Sequence, residues 1–186
     1  MVTRTTYKED FINASCLKLV DYIKHKHHLI ISEQVPYVKR LLGKSLQEHK
    51  ENYTELLALM EIFKLLISES ETHSKREEEV LFPYIEGLEN YKKQGGTKSE
   101  ISIDNVQNQI SQIEVDHLKL ENSLVSTIQH IAAMFKALDH PSDAFIMFQQ
   151  AFNELAKEFR EHMNLEMNIL FPKIIELESE VRKINR

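Results

Sequence analysis

A histidine followed four residues later by a glutamate occurs at His73/Glu77 and again at His162/Glu166. Each pair leads into the same triplet, Leu81-Phe82-Pro83 and Leu170-Phe171-Pro172. The two copies are 89 residues apart. His28 and His117 are separated by the same 89 residues, and each precedes its His/Glu pair by 45. The chain therefore reads as a duplicated unit, about residues 13–90 and 100–183, within one domain spanning 1–186. Imidazole and carboxylate donors together suit iron, manganese or zinc, and no set of soft thiolates competes with them. Four histidines and two glutamates at repeat-equivalent positions are what a di-iron site inside a helical bundle requires.

The bland reading of any one of these residues is different. A glutamate four residues from a histidine on a helix is ordinarily a solvated pair, worth a few tenths of a kcal/mol. Here both pairs fall on apolar seams, between Phe63/Ile67 and Val80, and between Phe159 and Ile169. An ionised carboxylate buried without a partner costs several kcal/mol, so something must compensate it. A cationic metal centre does so. His117 lies among Ile113, Leu120 and Leu124, where a lone histidine is commonly a hydrogen-bonded core residue. His28 belongs to Lys24-His25-Lys26-His27-His28, which also reads as a solvated basic run; only the 89-residue register singles it out. If both glutamates bridge, each of two metals receives two imidazoles and two carboxylate oxygens. A bridging oxo or hydroxo group makes five ligands, leaving one open octahedral position on each for a small molecule.

Four amphipathic segments must position these residues. The first covers about 13–42, capped by Asn13 or Ser15. Pro36 is expected to kink it and Gly43 to close it. The second covers about 45–88, with a seam through Leu56, Met60, Phe63, Ile67, Ser70, His73, Glu77, Val80 and Tyr84. Gly87 and residues 90–99, including Gly95-Gly96, read as the one clear loop. The third covers about 100–138, and Asp139-His140-Pro141-Ser142 stops it and starts the fourth. The fourth carries Phe145, Phe148, Phe152, Leu155, Phe159, His162, Glu166 and Ile169 on one face. Steps of three and four put each series on one helical stripe. Short connections imply an all-α, antiparallel up-down-up-down four-helix bundle.

Composition agrees with that architecture. Only four glycines and four prolines in 186 residues leave little room for a turn-rich β fold. The formal charge of −6 and the absence of a strongly basic block argue against a nucleic-acid partner. No apolar run approaches the ~20 residues that span a bilayer, and no signal peptide is visible at the start, so no membrane partner and a cytoplasmic location are expected. Cys16, the only cysteine, excludes a disulfide framework and a cysteine zinc site; it reads as a small buried hydrophobe. His49, His130 and His140 have no repeat partner and read as surface residues.

The doubled H-x-x-x-E-x-x-x-L-F-P motif, with Glu114-Val-Asp-His117, resembles the hemerythrin-like (HHE cation-binding) family. Within that family the chain is similar to the iron–sulfur cluster repair di-iron proteins, whose first helix Leu19-Val-Asp-Tyr-Ile23 through His28 and Glu33-Gln-Val-Pro36 look like. The resemblance covers about residues 16–175. It implies a hemerythrin-like bundle with His28, His73, Glu77, His117, His162 and Glu166 as ligands of two non-haem irons, both glutamates bridging. Oxygen-carrying hemerythrins have a second histidine four residues after the third-helix ligand, where this chain has Glu121, and an aspartate five residues after the fourth-helix histidine, where it has Glu166 four on. Both departures favour the repair proteins. Those proteins often carry an N-terminal domain with a cysteine pair, which this chain is expected to lack, since Cys16 cannot supply one.

The resemblance implies a stress-response protein that restores iron–sulfur clusters damaged by nitric oxide or oxidants. It would do so by donating iron or by binding and reducing nitric oxide. Its expected partners are nitric oxide and dioxygen, damaged iron–sulfur proteins, and an external electron donor. The alternative is a hemerythrin-like module that binds or senses oxygen. A ferroxidase fits less well, because ferritin-like sites use Glu-x-x-His and more carboxylates. Glu121 lies on the flank of the seam and is a further ligand candidate. Asp116 and Glu69 are candidates to line a path to the site, with Asp116 also able to accept a bond from an imidazole.

Overall fold

The computed structural model describes residues 9–94 and 106–184, and these are helical almost throughout. After a single turn, Glu9–Ile12, four rods follow. Rod α1 comprises Cys16–Tyr22, a π-helical turn Ile23–His28, and Leu29–Glu48. Rod α2 comprises Tyr53–Arg76, a π turn Glu77–Leu81, and Phe82–Lys93. Rod α3 is the regular helix Val106–Ala137. Rod α4 comprises Asp143–Leu165, a π turn Glu166–Leu170, and Phe171–Ile184.

Two of the starts are set by serine. The Ser15 hydroxyl accepts from the Lys18 N–H, and that of Ser142 accepts from the Phe145 N–H, each occupying a donor the first turn leaves without a partner. The helix runs through Pro36 and on past Gly43 to Glu48, so Gly43 does not end it. Gly87 likewise lies inside α2, which continues to Lys93. An isolated glycine costs a helix only about 1 kcal/mol, which tertiary packing of these rods outweighs. Gly95-Gly96 and the start of the third segment lie outside the described residues.

The rods form the antiparallel bundle. α1 packs chiefly on α4 and α2 on α3, while the start of α1 lies against the end of α2 and the start of α3 against the end of α4. At the opposite end, the Ser142 N–H donates to Nε2 of His49 at 3.0 Å. His49 is therefore a buried junction between α1 and α4 rather than a surface residue.

The apolar core is divided in two. One cluster gathers Leu42, Leu56, Phe63, Leu124, Phe148, Phe152 and Phe159; the other gathers Leu19, Ile23, Leu81, Ile85, Ile113, Leu170 and Ile174. Between them, in sequence and in space, lies a layer of buried histidines and glutamates.

The π turns explain a shift in the seam. Each adds one residue to its helix and rotates everything beyond it. In α2 the fully buried face past Glu77 is therefore Leu81, Phe82, Ile85 and Leu88; Val80 is 49% exposed, and Tyr84 is only partly buried against the same cluster. In α4 the Phe171 N–H reaches back five residues to the Glu166 carbonyl, as Phe82 does to Glu77.

Candidate metal centre

The π turns sit at the chemistry. The first ends on His28, and the other two begin on Glu77 and Glu166. His117 projects from the regular middle of α3. All six residues singled out by the repeat are buried and meet in one layer.

Both glutamates lie between three histidines. Glu77 Oε2 stands 3.1 Å from His28 Nε2, 3.4 Å from His73 Nε2 and 3.6 Å from His162 Nε2. Glu166 Oε2 stands 3.0 Å from His117 Nε2 and 3.9 Å from His73 Nε2, while its Oε1 is 3.1 Å from His162 Nε2. One donor atom from each of His73, Glu77, His162 and Glu166 lies within 4.8 Å of the others. The ring centroids of His28 and His162 are 4.9 Å apart and those of His73 and His117 are 4.8 Å apart. These two pairs exchange under the sequence repeat, so the layer has approximate two-fold symmetry.

Without a cation, this layer is poorly satisfied. His73 Nδ1 and Nε2, His117 Nδ1 and Glu77 Oε1 are buried with no hydrogen-bond partner. Each such group costs about 1–3 kcal/mol. Burial and the Glu166 charge push the Glu77 carboxyl well above its ordinary range. Burial acts on Glu166 in the same sense, but His162 and the bond from His117 outweigh it and hold that carboxyl well below. Burial keeps His73 and His28 below the usual imidazole range. Neutral imidazoles and facing carboxylates are the forms that ligate a metal, and a cation placed among them would remove the cost of burying the carboxylates. The residues present fit a metal ion.

The surroundings depart from the sequence expectations in several places. His27 is buried, not part of a solvated run; its Nδ1 donates to Glu158 and its ring stacks on His162 at 5.5 Å. Burial, then the neighbouring His162, pushes its imidazole down to about 3. One residue from His28 on a helix is off the seam, so periodicity could not find it; the π turn brings it inward. Glu78, also missed, accepts from His28 Nδ1 at 2.6 Å. Glu121 turns away from the layer and accepts from Nε and Nη2 of Arg160. Asp116 accepts from Arg76 and Lys119 rather than from an imidazole. Glu69 accepts from the Ser123 hydroxyl, and it lines with Asp116, Ser68, Thr72 and Lys119 a small cavity of about 260 Å³. Cys16 is buried, as its composition suggests. None of the described helices is long and apolar enough to cross a membrane.

The chain is similar to known proteins. The iron-sulfur cluster repair protein YtfE of Escherichia coli O81 is 25% identical over 168 residues, covering 90% of this chain and 70% of that protein. YtfE of Escherichia coli O1:K1 and of Escherichia fergusonii match at the same identity over the same extent. The profile of the hemerythrin HHE cation binding domain matches residues 19–174, and the chain belongs to that family.

Proposed function

We propose that this chain is a non-haem di-iron protein that takes part in repairing iron–sulfur clusters damaged by nitric oxide or oxidative stress. The observation that carries the reading is the buried layer of four imidazoles and two carboxylates, several of whose donor atoms have no partner without a cation. His28 and His162 would hold one iron and His73 and His117 the other, in line with the two close ring pairs. Glu77 and Glu166, each beside three histidines, would span both. When bound, the irons supply one-electron redox chemistry and open positions for small ligands such as nitric oxide or dioxygen. The likeness to the YtfE proteins, named for iron–sulfur cluster repair, supports the physiological role.

The protein's own part is to hold that pair between two apolar clusters. Iron donation uses the histidines as releasable ligands. Nitric oxide reduction instead needs two electrons from an external donor.

Elemental analysis of the chain purified from iron-replete cells tests the centre: about two irons per chain is expected from the donor set. Near zero in a folded chain, followed by failed anaerobic reconstitution with ferrous iron, overturns the reading. Transfer of iron from the loaded chain to a nitric-oxide-damaged cluster protein identifies donation. Consumption of nitric oxide that depends on an added reductant identifies the other route.

A further inference from the structure

The two halves of the site differ at the far side of one pair of histidines. His28 and His117 are repeat equivalents, and so are Phe82 and Phe171. His28 stacks on Phe82 at 6.0 Å and 20°, and His117 stacks on Phe171 at 6.0 Å and 10°. Each presents Nε2 to its glutamate at nearly the same distance, 3.1 and 3.0 Å. At the far side of the ring the match ends. His28 Nδ1 donates to Oε1 of Glu78 at 2.6 Å, whereas His117 Nδ1 is buried with no hydrogen-bond partner. The residue equivalent to Glu78 is Met167, whose thioether is a weak acceptor. Asp116, adjacent to His117, is held by Arg76 and Lys119 and does not take its place.

A carboxylate on the distal nitrogen of a ligating histidine does three things. It selects the Nδ1–H tautomer, so that the Nε2 lone pair faces the metal; it holds the ring's orientation; and it raises the ligand's basicity. Removing such a partner typically lowers metal affinity about 10–100-fold. Glu78 is well placed to act this way, because its side chain is 42% exposed and stays hydrated. It borders a groove of about 600 Å³ that also touches His28, Lys24 and Lys75, giving this half of the centre a route to solvent.

We propose that Glu78 makes the two metal positions unequal: as a positioning residue for His28 it tightens the His28/His162 position relative to the His73/His117 position. The inference rests on the metal-centre reading above. It goes further by assigning an order of occupancy: one ion is retained at metal concentrations where the other is lost.

The test is an anaerobic titration of the metal-free full chain with cobalt(II). Binding is followed by its visible absorption and, for affinities, by competition with a chelator. The unsubstituted chain should bind two ions in steps separated about 10–100-fold. Glu78→Gln should weaken the tighter step by that factor, leave the weaker one in place and so merge them; Glu78→Asp should restore part of the separation. Met167→Glu, with Glu78 intact, should strengthen the weaker step, because the repeat register sets the new carboxylate opposite His117 Nδ1. That arm stands even if Glu78→Gln folds poorly. Two ions bound with affinities unmoved by either Glu78→Gln or Met167→Glu would overturn the inference and leave the metal centre standing. No cobalt bound by the unsubstituted chain would overturn the metal centre itself.

Discussion

The ring of His27 lies nearly parallel to that of His162, 13° between planes and 5.5 Å between centroids. Its Nδ1 donates to Glu158, one turn before His162 on α4. His27 thus ties the π turn of α1 to the segment of α4 that carries a site histidine. His27→Ala removes a buried donor and leaves Glu158 partly buried without it. The expected loss is about 1–3 kcal/mol, read from chemical unfolding of the metal-free chain. A loss under a few tenths would mean that this contact does not help to hold α1 on α4.

Glu77 and Glu166 are the two charges that the core tolerates worst on their own. Glu77→Ala or Glu166→Ala should lower iron content at least several-fold, while far-ultraviolet circular dichroism still reports a helical chain. Glu166→Ala also takes away the partner of His117 and His162, and breaking a buried pair costs about 3–5 kcal/mol, so its metal-free form should unfold more readily. Full iron loading with an unchanged absorption spectrum in one of these variants would show that the carboxylate it lacks is not a ligand.

Glu121 offers the opposite expectation. Its carboxylate faces Arg160 across α3 and α4, with both side chains about two-fifths exposed. Solvent screens such a pair, and Glu121→Ala should cost no more than about 1 kcal/mol of stability. Iron per chain should match that of the unsubstituted protein. A loss as large as that in the Glu77 variant would make Glu121 a ligand after all.

Cys16 should be inert at neutral pH. Burial, then the Glu89 charge, pushes its thiol from 9.0 up to about 11, and the thiolate is the reactive form. Alkylation of the folded chain at pH 7 should run about a hundredfold slower than that of the unfolded chain, since two pKa units remove that share of thiolate. The linkage has a definite sign. A thiol whose folded pKa is raised stabilises the fold fully below its unfolded pKa and loses that contribution as the pH climbs from about 9 to 11. Rapid labelling at pH 7 would mean that the N-terminal part of α1 opens readily.

Much of the site was legible because a two-fold repeat and a helical period are both one-dimensional signals. The 89-residue register picked His28 out of a run of basic residues, and the layer does contain His28, whereas neighbouring His25 faces solvent. The phenylalanine stripe of α4 is buried as its spacing required. What periodicity missed begins where the helices change their pitch. An inserted residue is invisible in composition, so the seam drawn through Val80 and Tyr84 fell one position short of Leu81 and Ile85.

His27, Glu78 and His49 were missed for a related reason. Each takes its role from a residue far away in the chain: Glu158, His28 and the Ser142 N–H. A lone histidine or glutamate on a helix carries no mark of which partner will reach it. The sequence by itself determined the bundle and which six imidazole and carboxylate groups meet in one buried layer, because burial stripes and repeat register depend only on spacing along one helix. Only the tertiary structure decided which neighbours orient those donors, which acids turn away to arginines, and how the two halves of the centre differ. Those outcomes depend on where separate helices bring polar atoms within about 3 Å, a distance that spacing along the chain does not encode.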